Sequence, residues 1–104
     1  MTYLQLKAEL EAICDAVYEL EAPAGATRFV VISCYGADTL IADDAVQMEA
    51  LKVQLDVCWQ SDGDTLLSDV KTALSGLYIP YSVQDVAYDD DYMAMRAILQ
   101  CEVL

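Results

Sequence analysis

The sequence predicts an α+β fold: two helices packed on one face of a mainly antiparallel four-stranded sheet, in the order α-β-β-α-β-β. Three observations predict it. Leu51-Lys52-Val53-Gln54-Leu55-Asp56-Val57-Cys58-Trp59 alternates apolar and polar residues without a break, as a strand with one buried face requires. Leu66, Leu67, Val70, Ala73, Leu74 and Leu77 recur at helical spacing behind an aspartate. The chain closes on a second alternating strand, with Met93, Met95, Ala97, Leu99, Cys101 and Val103 on one face and Arg96, Gln100 and Glu102 on the other. At 104 residues the chain, 1–104, is expected to form one domain. A domain of this size buries roughly 65% of its unfolded surface, enough for one modest core.

Taken in order, Thr2 caps a first helix, and Gln5 stands where a capping box places its reciprocal partner. Leu6, Leu10, Ile13, Cys14 and Val17 follow at helical spacing, and the helix is expected over about residues 3–15. Ala22-Pro23-Ala24-Gly25-Ala26 is a turn or loop. Arg28 to Tyr35 is β-branched, aromatic and apolar on both faces, which reads as a central strand covered on both sides. Gly36-Ala37-Asp38-Thr39 is expected to end it, and Leu40 to Val46 to form a connection. A second strand over 48–59 returns without an intervening helix, so an antiparallel hairpin is the natural pairing. Asp64 is the expected N-cap of the second helix, and Gly76 is expected to supply its left-handed end. Residues 81–88 and 92–104 form the last hairpin, turned by Asp89-Asp90-Asp91.

Composition narrows the function. Five basic residues face 18 acidic ones, a net charge of −13, which removes the basic patch that binds phosphates by counterion release. The chain has no histidine, the usual proton carrier near neutral pH, and none to activate its serines or cysteines as nucleophiles. No glycine-rich phosphate loop is present. Cys14, Cys34, Cys58 and Cys101 make no C-x-x-C pair and sit in apolar contexts, as reduced core thiols do. The acidic turns Asp62-Gly63-Asp64 and Asp89-Asp90-Asp91 lack the alternating ligands and closing glutamate of a calcium loop. An enzyme, a cofactor and a resident metal are therefore not expected. No stretch approaches the roughly 20 apolar residues of a membrane span. The N-terminus lacks the charged and apolar regions of a signal peptide, so a cytosolic chain is expected, or one that leaves only inside an assembly. The hydrophobic content, 57%, exceeds the ~45–50% of ordinary soluble domains. That surplus points to a partner or to further copies, and alanines account for part of it. Six of the seven tyrosines lie near predicted element ends, where they either rim the core or meet a partner.

Several segments together resemble the tail-terminator (tail-completion) proteins of long-tailed phages and prophages. They are the opening Met1-Thr2-Tyr3 with Leu6-Lys7 and Leu10-Glu11, Phe29-Val30-Val31 followed by Gly36, Asp38 and Ala42-Asp43, the strand Val53-Gln54-Leu55-Asp56-Val57, the helix start at Asp64, and Leu77-Tyr78-Ile79-Pro80-Tyr81. The closing hairpin with its acidic turn completes the order. The chain departs from the family at Thr39-Leu40-Ile41, where members carry asparagine and aromatic residues, at Thr65, often proline, and at Cys58-Trp59, usually Leu-Tyr.

The resemblance implies a structural virion protein of the tail and neck, assembled in the host cytoplasm. It would cap the head-proximal end of the tail tube as a hexameric ring, end tube polymerisation and offer a surface to the head–tail connector. Its expected partners are other copies of itself, the tail-tube protein and the connector, with DNA passing through the lumen without specific binding. Tyr35, Leu40, Ile41, Val46 and Met48 are the candidate ring or tube contacts. Asp43, Asp44, Asp89, Asp90 and Asp91 are the candidate acidic lumen or connector face, or else a plain solvated surface. Two rivals remain at this point: another head–tail connector or minor tail ring protein, and an acidic inhibitor that mimics DNA.

Overall fold

The computed structural model describes the backbone of residues 1–42 and 46–104, and the side chains of residues 1–37 and 50–104. The elements are α1 (Tyr3–Glu11), β1 (Val17–Glu19), β2 (Phe29–Ala42), β3 (Val46–Trp59), α2 (Leu66–Gly76), β4 (Tyr81–Asp89) and β5 (Ala94–Val103). The fold is α+β, but the sheet has five strands in the order β1-β2-β3-β5-β4 and is mixed, because β1 runs parallel to β2. This corrects the expected four-stranded, mainly antiparallel sheet.

The added strand comes from the chain after α1. The capping box forms as expected, with Gln5 N–H donating to Thr2 Oγ1 at 3.2 Å and Thr2 N–H to Gln5 Oε1 at 2.9 Å. The helix then stops at Glu11, because the amides of Ile13 and Cys14 both bond back to the Leu10 carbonyl. Val17 and Tyr18, a β-branched and an aromatic residue, pair with Val30 and Val31. Val17 lies at helical spacing from Leu10 and Cys14, so a half-buried position served by a strand reads in sequence as one more turn of helix.

The second correction concerns Gly36. It does not end β2; the strand continues to Ala42 through a β-bulge between Cys34 and Gly36. Gly36 pairs with Lys52, whose Cδ lies 3.6 Å from the place a Cβ would occupy. Residues 40–42, expected in a connection, pair with 46–48 of β3, and residues 43–45 lie outside the described residues. On one side β1 covers only Val30–Ile32 of β2, and on the other β5 pairs with β3 only from Leu51 onward. Beyond these limits residues 38–42 of β2 and 46–50 of β3 pair with each other alone, a two-stranded ribbon about 16 Å long at ~3.3 Å per residue. The longest dimension of the molecule is 50 Å, against 25 and 21 Å for the others.

Both helices pack on one face of the sheet. Leu6 and Leu10 of α1 and Leu66, Val70 and Leu74 of α2 are buried against Val30, Ile32, Val53, Leu55, Val57, Ala97 and Leu99. The i, i+4 spacing of the helical leucines and the period of two along β3 and β5 put these side chains in one layer. The other face has a smaller cluster of Phe29, Val31 and Cys58, covered by Tyr18, Ala22, Ala26 and Tyr92. Cover on both faces is thus limited to residues 29–32; Cys34 and Tyr35, expected under cover, are exposed.

Helix α2 starts one residue later than expected. Asp64 still closes its first turn, accepting from the Leu66 amide at 2.9 Å and from Arg28 Nε at 2.9 Å. The bond from the Arg28 guanidinium holds the Asp64 carboxyl below its usual pKa. Gly76 is the last helical residue and not the left-handed one. That role falls to Tyr78, with φ +57°: its amide bonds the Ser75 carbonyl and the Ile79 amide bonds the Leu74 carbonyl. These two bonds define a Schellman motif, with tyrosine where glycine is the usual residue.

Candidate functional site

Three charged groups, Arg96, Asp56 and Asp89, gather on the face opposite the helices, at the end of the sheet where β3 ends and β5 begins. Arg96 of β5 reaches Asp56 of β3 through Nη2 at 2.5 Å and Asp89, the last residue of β4, through Nη1 at 3.1 Å. Gln54 donates to the other Asp56 oxygen at 2.9 Å. Asp89 also accepts from the amides of Asp91 at 2.9 Å and Tyr92 at 3.2 Å, so its carboxylate folds the β4–β5 turn. Partial burial works against charge on Asp89, but the two amides and Arg96 outweigh it and hold its pKa below the ordinary carboxylate value. Burial likewise opposes the charge of Arg96, and its bonds to Asp56 and Asp89 more than restore it. The Arg96 Nε–H is buried without a hydrogen-bond partner among the described residues. Tyr92, carried by the same turn, stacks edge-on against Phe29 with ring centroids 4.9 Å apart.

This constellation has the chemistry of a clamp. Its one cation is held between two carboxylates, which leaves no unpaired base beside a nucleophile. Cys58 adjoins it, and burial pushes its thiol up to about 12. Burial, with Glu102 adding to it, raises the Cys101 thiol to about 11. All four cysteines are free, Cys14, Cys58 and Cys101 are buried, and Cys34 is exposed on β2. Among the described residues no group of three or more Cys, Asp or Glu side chains is placed to hold a metal ion. None of the described helices is long and apolar enough to cross a membrane.

The five acidic candidates do not form one described surface. Asp89 belongs to the clamp, while Asp90 and Asp91 are exposed in the turn beside it. Asp43 and Asp44 lie outside the described residues, and the strand ends that flank them, Ala42 and Val46, pair at the opposite end of β3 from Trp59. The apolar candidates fare differently. Leu40 pairs with Met48 and Ala42 with Val46 in the ribbon, and Ile41 stands opposite Gln47. Tyr35 is the residue of the bulge where the ribbon leaves the sheet, and it is exposed.

Two open clefts lie near that same end. One, of about 370 Å³, is lined by Tyr35, Pro80, Tyr81, Ser82, Gln100, Cys101 and Glu102. The other, of about 330 Å³, lies among Met1, Ala50, the 77–80 segment and Glu102–Leu104. Their linings mix aromatic, aliphatic and amide groups, and Glu102 is the one titratable carboxylate in each.

Sequence reasoning missed the edge formed by β4. Residues 82–88 are all exposed, among them Val83, Val86 and Tyr88. A bulge between Val83 and Asp85 breaks the alternation there, so the segment lacks the clean period that marks a buried strand. The available signal was topological: the outer strand of a terminal hairpin is an edge unless something pairs with it. No family model matches the chain, and no significant match to a curated protein is found.

Proposed function

We propose that this protein is a tail-terminator subunit: a ring-forming structural protein that caps the head-proximal end of a phage tail tube and presents the joining surface for the head connector. The observation that carries the reading is the order of short motifs along the chain, from Thr2-Tyr3 through Phe29-Val30-Val31 and Val53–Val57 to Leu77–Tyr81. The fold supports it in two ways. The sheet leaves strand edges open, which is what a subunit that builds by repetition needs. The side-chain hydrogen bonds of Thr2, Asp64, Asp89 and Arg96 serve as a cap, turns and a clamp. A net charge of −13 suits a lumen from which DNA phosphates are repelled, so that DNA slides without sticking. Such a ring would sit in the virion neck after assembly in the host cytoplasm.

The test is light scattering on the size-separated protein with negative-stain images of the same fractions, followed by addition to polymerising tail-tube protein. Closed rings of about six copies that stop tube growth would support the proposal. Rings that join a head connector but leave tube growth unchanged would favour a connector subunit. A monomer that competes with DNA for a basic protein would favour the DNA-mimic reading.

A further inference from the structure

Two features of this fold are costly in an isolated copy, and each can satisfy the other in a neighbouring copy. The first is the free edge of β4. It is nine residues long, pairs on one side only, and carries Val83, Val86 and Tyr88 opposite Leu99, Ala97 and Met95. These three side chains therefore point to the helix side of the sheet, yet neither helix buries them. Tyr78 and Met93, 92% and 68% exposed, stand at either end of the strand, both with positive φ. An exposed apolar edge with open amides and carbonyls is a template for another strand.

The second feature is the ribbon. Past Ile32 the outer edge of β2 has no strand partner among the described residues, and from residue 38 onward β2 and β3 form a ribbon of two strands only. A two-stranded ribbon is marginal in water, and a third strand is what makes such a unit stable.

We propose that copies join head to tail, the β4 edge of one adding to the outer edge of β2, residues 33–42, of the next. This contact rests on the ring reading above and names the interface that builds the ring. Strand polarity fits. β4 is antiparallel to β5, β5 to β3 and β3 to β2, so β4 and β2 run antiparallel. A neighbour in the same orientation thus presents β2 as an antiparallel partner. The contact is heterologous, which allows a ring to close. Because β1 occupies Val30–Ile32, the added strand seats farther along β2 and successive copies are staggered. A stagger of this kind is what a closed sheet requires. The exposed charge of Asp85 in mid-strand and the bulge beside it guard β4 against pairing with itself.

The experiment uses two blocked forms of the full chain. Val86→Lys places a charge on the β4 edge, and Tyr35→Lys places one on the β2 edge. Both sites are exposed, so far-UV circular dichroism and the urea midpoint should match wild type. Tyr88→Lys and Ala37→Lys replace either variant that fails this check. Light scattering should read a single copy for each variant alone and a heterodimer, no larger, for their mixture, while the wild type forms rings. Added lysine lowers the mutual repulsion of an acidic chain, so loss of assembly cannot come from net charge. Wild-type rings together with rings from both variants would overturn the contact and leave the ring reading standing. A wild type that stays monomeric, alone and with tail tubes, would overturn the ring reading and the contact with it.

Discussion

Strands β4 and β5 are the two arms of one hairpin, yet they live in different environments. In β5, Ala97, Leu99, Cys101 and Val103 are buried, because β3 and β4 flank the strand and the helices cover it. In β4, the residues directly opposite, Val83 and Val86, are 40% and 45% exposed. Apolar identity is the same in both arms; cover is not. A sequence states which face of a strand is apolar, and the neighbouring layer decides whether that face is core or contact surface.

The sharpest way to break this contrast is to cut both arms equally. Leu99→Ala is expected to cost about 3–5 kcal/mol in urea unfolding, as a fully buried leucine does, with a cavity left in the core. A midpoint that does not move would remove β5 from the core. Next in size is the clamp that ties the end of β4 to β5. Arg96→Met should cost roughly 1–2 kcal/mol, since the ion pairs it breaks are partly screened by solvent. The same change should alter the acid limb of stability. Asp89 has a folded pKa below its unfolded value, so its contribution is present above the unfolded pKa and disappears as pH falls through the folded one. Acid titration of the urea midpoint should therefore show a loss below about pH 4 that is shallower in Arg96→Met, and an unchanged limb would exclude the clamp as its source.

Tyr78→Gly should act in the opposite direction. Relief of the left-handed tyrosine, set against the extra backbone freedom of glycine, is expected to stabilise the monomer by about 0.5–1 kcal/mol in thermal melts. If β4 is a contact edge, the more stable chain should assemble less well; equal assembly would separate Tyr78 from that edge. The smallest effect belongs to Val86→Thr, expected within about 0.5 kcal/mol by the same unfolding assay. A large loss there would mean that β4 is covered in the monomer and that the contrast with β5 is false.

Much of the body was legible in the sequence, for reasons its residues make plain. The unbroken alternation of Leu51–Trp59 and of Ala97–Val103 has one reading, and the capping box of Thr2 and Gln5 needs no tertiary partner. Val17 was illegible because the same side chain fits a fourth helical turn or a short strand. Gly36 was illegible because a glycine that stops a strand and one that lets it bulge past Lys52 look alike until the partner strand is placed. The left-handed position fell on Tyr78 and not on Gly76 two residues before it, since hydrogen-bond register, not composition, chose it. Among the candidate contacts, Leu40, Ile41, Val46 and Met48 come together along one ribbon. The tie of Asp89 to Arg96 was illegible, because charge gives no information about which end of a sheet a turn occupies.

Strand β1 is only three residues long, and that brevity has a mechanical meaning. It parks beside Val30–Ile32 and ends there, with the Leu20 amide bonded to the Ile32 carbonyl as its last tie. Any strand sliding along the outer edge of β2 toward the body meets this obstruction at Ser33. Just beyond it, the bulge at Tyr35 shifts the phase of side chains and hydrogen bonds by one residue. A stop followed by a notch is how a ratchet or a vernier fixes position. In this molecule the pair would index an incoming strand to one register, so that every joint in a repeated structure is cut to the same length.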